Sequence, residues 1–322
     1  MIELIAANLY RIEIPLPNNP LKSLNAFLIR GGGRNLLIDT GMNRPECLEV
    51  MEAALRELEV KLEDTDFFIT HMHADHSGLV GTLAQDTSKI YASQIDAEVM
   101  NNNLLWDKMR IFIKLGGFPL EEYQQAIKLH PGYKYSTKKK IDFTIVKDGD
   151  LLTIGEYRFQ CIETPGHTTG HLCLYEADKK MLISGDHILG DITPNISLWS
   201  DEEDPLSDYL ASLDKVSTLK IDITLPAHRS LINNCQGRIE ELKQHHQERA
   251  QEVLDVLAQG GRTAYQVAAG MTWDMTYKSF QEFPIPQKWF ATGEAMAHIK
   301  YLEVNGKVKR QEGKEQILFL LQ

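Results

Sequence analysis

The stretch FITHMHADHSG, residues 68–78, places three histidines and one aspartate within six positions, directly after the apolar run DTDFFIT. That run reads as a short buried strand delivering the histidines at its C-terminal end, where a rigid scaffold commonly holds reactive groups. Imidazole and carboxylate are borderline ligands that zinc accepts. No thiolate lies nearby, which favours an open catalytic site over a closed structural one. Three more segments, TPGHTTGH, SGDH and PAH, each follow a predicted strand. A single zinc needs only about three protein ligands, so the surplus asks for two ions. On that reading His71, His73 and His167 hold the first ion, Asp75, His76 and His228 hold the second, and Asp186 bridges them. A hydroxide would lie between ions about 3.5–4 Å apart.

The rest of the chain fits a layered sandwich. The first forty residues alternate as an antiparallel meander, NLYRIEIPLP, NAFLIRG and RNLLIDTG, through Gly31–Gly33, and RPECLEVMEAALRELEV has helical spacing. Strands resume with FTIVKDGDLLTIGEYRFQCIETPG, with the hairpin HLCLYEADKKMLISGD, and with DITLPAH after a helix at LSDYLASLDKV. Strand runs broken by single helices favour a layered α/β sandwich over an alternating parallel barrel. Residues 96–140 break the rhythm and read as an inserted helical hairpin. From Gly237 onward three helices and a final hairpin describe a small winged-helix-like unit. The expected domains are therefore 1–236, carrying the metal residues, and 237–322.

Taken in order, HMHADH, PGHTTGH, SGD and PAH, preceded by LLIDTG, resemble the metallo-β-lactamase superfamily over residues 1 to about 230. The tail, with RIEELKQHHQERAQEVL and QKWFATGEAMAHIKYL, is similar to the winged-helix appendage of its lactamase-beta-2-like and glyoxalase II-like branch. The resemblance implies a four-layer αββα sandwich with a dinuclear site at one edge, and it carries the ligand roles onto the residues named above. It implies that Asp39 of LIDTG orients the ligand loop, as outer carboxylates do. It also implies that Asp75 touches the attacking hydroxide and takes its proton. Histidine at position 73, where the flavodiiron branch carries glutamate, argues against an oxygen-reducing centre. The tail lacks the basic cluster of a true glyoxalase II.

Two zinc ions per chain would activate water without a serine or cysteine nucleophile, and iron or manganese suits the same ligands. The insertion carries Leu104, Leu105, Trp106, Met109, Ile111, Phe112, Ile113 and Phe118, which either pack on the sandwich or line an acyl-sized pocket. Trp106, Phe112 and His171 are candidate substrate contacts, His171 also being a candidate for packing behind the ligands, as is His187. His130, His245, His246 and His298 read as solvated or hydrogen-bonded. The expected activity is hydrolysis of a small acyl substrate, a thioester above others. The alternatives are a phosphodiesterase acting on single-stranded RNA and a non-catalytic interaction module.

A formal net charge of −11 repels phosphate backbones. Beyond Gly237 eleven bases balance eleven acids, a poor footprint for nucleic acid, so the tail is expected to close the active-site edge or to pair copies as a homodimer. No apolar run is long enough to span a membrane. The N-terminus has no basic leader, and four scattered cysteines fit reduced thiols, so the chain is expected in the cytoplasm. A β-lactam substrate is disfavoured for the same reason.

Overall fold

Within Ser23–Arg30, six consecutive residues are buried. A strand can bury both faces only between two layers. The computed structural model describes residues 1–102, 111–313 and 316–322. Its first sheet runs in the order β1 (Ile2–Ala6), β2 (Leu9–Pro15), β3 (Ser23–Arg30), β4 (Asn35–Ile38), β5 (Thr65–Phe68), β6 (Ile90–Ala92) and β7 (Thr144–Ile145). The meander β1 to β4 is antiparallel, and β5, β6 and β7 add in parallel. The second sheet holds β8 (Leu151–Ile154), β9 (Tyr157–Glu163), β10 (Leu172–Glu176), β11 (Met181–Gly185) and β12 (Ile223–Pro226). It is antiparallel except where β12 joins β11.

Between the sheets Phe27, Ile29, Ile38 and Phe68 meet Phe159, Leu172, Leu174 and Ile183. The alternate residues of the first sheet, such as Ala26, Leu28 and Phe67, face outward onto helices α1 (Pro45–Glu57) and α3 (Val80–Leu83), the short α2 (Ala74–Ser77) preceding α3 in the chain. In α1 Pro45 opens the first turn and Cys47, Met51, Ala54 and Leu55 share the buried face, the i, i+4, i+7, i+8 spacing of an amphipathic helix.

The inserted segment corrects one expectation. Instead of a two-helix hairpin, its described residues form α4 (Gln94–Asn102), α5 (Ile111–Lys114), α6 (Leu120–Leu129) and α7 (Pro131–Tyr135). Gly117, at φ +66°, Pro119 and Pro131 interrupt it, since none of these conformations continues a helix. Leu104, Leu105, Trp106 and Met109 lie outside the described residues.

Over the second sheet, α8 (Pro205–Ser217) buries Leu206, Tyr209, Leu213 and Val216, with Asp204 capping its N-terminus. Next to it lie α9 (Cys235–Leu257), α10 (Ala264–Gly270), α11 (Ile285–Val304) and the hairpin β13 (Val308–Glu312) and β14 (Ile317–Leu321). One continuous core joins this C-terminal region to the outer face of the second sheet and to the insertion, with Phe112 stacked on Trp289 at 4.0 Å between ring centroids. Among the described residues no helix is long and apolar enough to cross a membrane.

Candidate metal centre

The ends of β5, β9, β11 and β12 open onto one edge of the sandwich, and each supplies charged or imidazole groups there. After β5 the chain gives His71 and His73, then starts α2 at Ala74, whose first turn carries Asp75 and His76. The turn after β9 gives His167, the residue following β11 is Asp186, and His228 follows β12. Gly166 shapes the second of these turns. It sits at φ +138°, and any Cβ there would lie 2.4–2.9 Å from Tyr209 at the start of its side chain and backbone.

These side chains converge in two groups, His71, His73, His167 and Asp186 in one and Asp75, His76 and His228 in the other. In the first, Nδ1 of His73 lies 3.0 Å from Nε2 of His71 and 3.0 Å from Nε2 of His167. Asp186 faces both groups. Its Oδ2 is 3.4 Å from His167, while its Oδ1 is 3.6 Å from Nε2 of His76 and 3.4 Å from Nε2 of His228. Asp75 Oδ2 stands 3.5 Å from His228 and 3.9 Å from His76.

Behind the converging atoms, the far nitrogen of each buried imidazole is held. His167 Nδ1–H donates to the carbonyl of Asn195 at 2.8 Å, and His228 Nδ1–H donates to that of Ser23 at 2.7 Å. His76 Nδ1–H donates to Asp39 at 2.7 Å, and His71 Nδ1 lies 3.1 Å from the Thr70 hydroxyl. A carbonyl can only accept, so at His167 and His228 the proton is on Nδ1 and the Nε2 lone pair faces the centre. Asp39 also accepts from the backbone N–H of Thr70 at 2.9 Å and from its hydroxyl at 2.8 Å. Its φ of +58° is a left-handed conformation for a non-glycine residue, kept where surrounding bonds over-determine it.

The residues are of a kind that could hold a metal ion. Nε2 of His76, Nε2 of His228 and Oδ1 of Asp186 are buried and have no hydrogen-bond partner. Lone pairs so placed are costly to bury unless a cation shares them. Burial, then repulsion among imidazoles, pushes His71 well below its ordinary value and His73 down to about 3, which leaves their lone pairs free. Burial opposes charge on His76 as well, but Asp39, Asp186 and Asp75 outweigh it and raise this histidine. Against the cost of burial, His76 and His228 hold Asp75 at about 2. Three nitrogens and a carboxylate in one group, and two nitrogens and a carboxylate in the other, are donor sets that borderline divalent metals accept.

Two expectations for substrate contacts change. His171 is fully buried, with its Nδ1 2.8 Å from the Thr164 hydroxyl and its Nε2 accepting from the backbone N–H of Asp186 at 3.1 Å. One ring nitrogen is taken by Thr164 and the other holds the Asp186 turn, so neither is left for substrate. Phe112 is enclosed by the core and stacked on Trp289, which makes it a packing residue. Trp106 lies outside the described residues. His130, His246 and His298 are buried, so their solvated reading is replaced by the hydrogen-bonded one. His130 caps α7 by accepting from Gly132, while His246 and His298 bond each other at 3.1 Å.

Asp96, which no motif singles out, ties two ligand loops together. Its carboxylate accepts from the N–H of Met72 at 2.8 Å, the hydroxyl of Thr168 at 2.9 Å and the N–H of Gly170 at 3.1 Å. Asn25 does the same for the His228 loop, donating to the carbonyls of Pro226 and Arg229. Both lie outside the metal motifs, in segments whose spacing says only helix and strand.

The model of the Metallo-beta-lactamase superfamily matches residues 20–228, and that of the metallo-beta-lactamase-like C-terminal domain matches residues 250–319. The probable metallo-hydrolase YqjP of Bacillus subtilis is 27% identical, over 80% of this chain and 82% of that one. An atrochrysone carboxyl ACP thioesterase of Aspergillus fumigatus is 25% identical over 76% of this chain, a match spanning 64% of the fungal protein. Among solved structures, metallo-beta-lactamase family protein TTHA1429 from Thermus thermophilus is 26% identical with a TM-score of 0.84, covering 99% of this chain and all of that one. A beta-lactamase domain protein from Burkholderia ambifaria, 24% identical with a TM-score of 0.87 over 100% of this chain and 94% of that one, has the same fold.

Proposed function

Since this chain belongs to the metallo-beta-lactamase superfamily of hydrolases, we propose that it is a dinuclear zinc hydrolase cleaving a small acyl thioester. The observation that carries the dinuclear reading is Asp186, whose two oxygens face different groups of ligands. His71, His73 and His167 would hold one ion and Asp75, His76 and His228 the other, with Asp186 shared between them. Bound there, two such ions supply an activated water and a Lewis acid for the scissile carbonyl. Asp75, at the edge of that second group, would orient the attacking water and accept its proton. Asp39 and Thr70 hold His71 and His76 in the orientation this requires. The thioester preference draws on the fungal relative named as a thioesterase. Four free, buried cysteines accord with the reducing cytoplasm in which we place the reaction.

The test is kcat/KM of zinc-loaded protein on acyl-thioesters of increasing chain length, together with the metal content of the purified chain. We expect two zinc ions per chain, a rate that rises with acyl length, and loss of turnover in Asp75→Ala with an unchanged circular dichroism spectrum. Full activity in Asp75→Ala would remove the mechanism. Cleavage of single-stranded RNA in place of thioesters, with binding that falls steeply as salt rises, would move the substrate to a polyanion.

A further inference from the structure

We propose that Glu294, in the C-terminal region, is a positioning residue for His167, acting through Asn195. The proposal rests on the hydrolase reading in taking His167 as a metal ligand. His167 lies on a tight turn; its Nε2 faces His73 and Asp186, and the far side of its ring is held by one bond, from Nδ1–H to the carbonyl of Asn195 at 2.8 Å. Asn195 belongs to a stretch, residues 189–204, that contains neither helix nor strand. A segment without ladder bonds holds a carbonyl in place only if something else ties it down.

What ties this one down comes from the C-terminal helices and from one side chain of the stretch itself. The Asn195 side-chain amide donates to Glu294 Oε2 at 3.1 Å, and Asn195 Oδ1 accepts from the Ser197 hydroxyl at 2.7 Å. Arg238 of α9 donates to the carbonyls of Leu189 and Ile192. Beside Glu294, Gly293 allows the stretch to approach closely, since a Cβ there would come 2.6 Å from the Ser197 hydroxyl and 3.1 Å from the ring of Phe112. Glu294 is itself fixed. Its Oε1 accepts from Arg249 Nε at 3.1 Å, and Arg249 is buried, lies over the ring of Trp273 at 4.2 Å and donates to Glu252 and to the carbonyl of Thr272. The relay thus runs from a buried guanidinium to a carboxylate, to an amide, and by the amide's own backbone carbonyl to the imidazole. Each step is charge-assisted or fixed in donor direction, so the geometry passes along with little slack.

The experiment exchanges donor and acceptor in the relay. Asn195→Asp sets two carboxylates against each other. Asn195→Ala cuts the tether without adding charge. The double variant Asn195→Asp with Glu294→Gln restores a hydrogen bond of opposite polarity, because the introduced carboxamide donates where the carboxylate accepted and its oxygen still faces Arg249. Zinc affinity of each variant is read by chelator competition, beside kcat, KM and the melting temperature of the metal-free protein. Asn195→Asp and Asn195→Ala are expected to weaken one of two zinc ions by about tenfold or more, the size seen when outer partners of a ligand are lost. Their kcat falls while KM changes little. The double variant should return to within about threefold of the wild-type affinity, as a coupled pair does. Wild-type affinity in both single variants, or a double variant no better than Asn195→Asp, overturns the proposal and leaves the hydrolase reading standing. A wild-type chain that binds no zinc overturns both.

Discussion

Asp39 and Asp96 show how much of the centre depends on carboxylates that do not face it. Asp39 gathers Thr70 and His76 from the loop after β5, in a backbone conformation that costs energy to hold. Asp96 reaches from α4 to clamp Met72 against Thr168 and Gly170. Burial raises Asp96 to about 6, although its three donors favour the anion. A carboxyl raised in this way binds its proton more tightly folded than unfolded. Its contribution is therefore complete below its unfolded value of about 4 and disappears as pH rises through about 6. The melting temperature of the metal-free wild type, relative to Asp96→Asn, should accordingly improve as pH falls from about 7 to about 5. A difference that does not grow as pH falls across that range would mean that burial does not raise Asp96.

At the level of elements, the loops work because their neighbours leave them one path. Gly166 turns the chain after β9 against the first turns of α8, with Tyr209 in the way of any side chain. Gly166→Ala should lower stability by at least about 2 kcal/mol, from backbone strain and the collision together, and should cost metal affinity because His167 is the next residue. Urea denaturation and chelator competition would show both effects, whereas an unchanged midpoint would place the turn elsewhere. The insertion is held by a different contact. Trp289 of α11 stacks on Phe112 and meets Phe118 edge-on. Trp289→Ala should cost about 3–5 kcal/mol as a large core deletion. Limited proteolysis should then cut between residues 115 and 135 before it reaches the sandwich. Cleavage elsewhere first would show that α6 and α7 are anchored mainly by their contacts with α2 and by the Lys288–Glu122 pair.

Considered as a whole, the molecule has no clean seam between residues 1–236 and 237–322. Ile162, Cys173 and Leu182 of the second sheet share one core with Leu242 and Val253 of α9, Met296 and Ile299 of α11, and Phe319 of β14. Removing the C-terminal region would bare that face to water, and exposed apolar surface of this extent drives aggregation. A chain ending at residue 236 should therefore be insoluble or bind a hydrophobic dye strongly. A soluble, cooperatively melting product would show that the sandwich core alone suffices. The surface ion pairs that also cross this boundary, Arg310 and Lys300 with Asp201, are partly exposed and add little by comparison.

The sequence by itself determined the strand ends and the chemistry they carry. Strand periodicity is local, and three histidines with an aspartate beside them have few other uses, so both can be read from neighbouring residues. The layered sandwich follows for the same reason, because apolar strand runs must be covered on both faces. Tertiary structure alone decided which distant groups stand behind the ligands. Asp96, Asn25, Asn195 and Glu294 carry no local signature. Each acts through a hydrogen bond to a loop far away in the chain, and such bonds leave no period in the sequence. It also decided the fate of Phe112 and His171, since an apolar ring or an imidazole suits a pocket and a core equally well until the opposing surface is known. Here that surface is Trp289 for one and the Asp186 turn for the other.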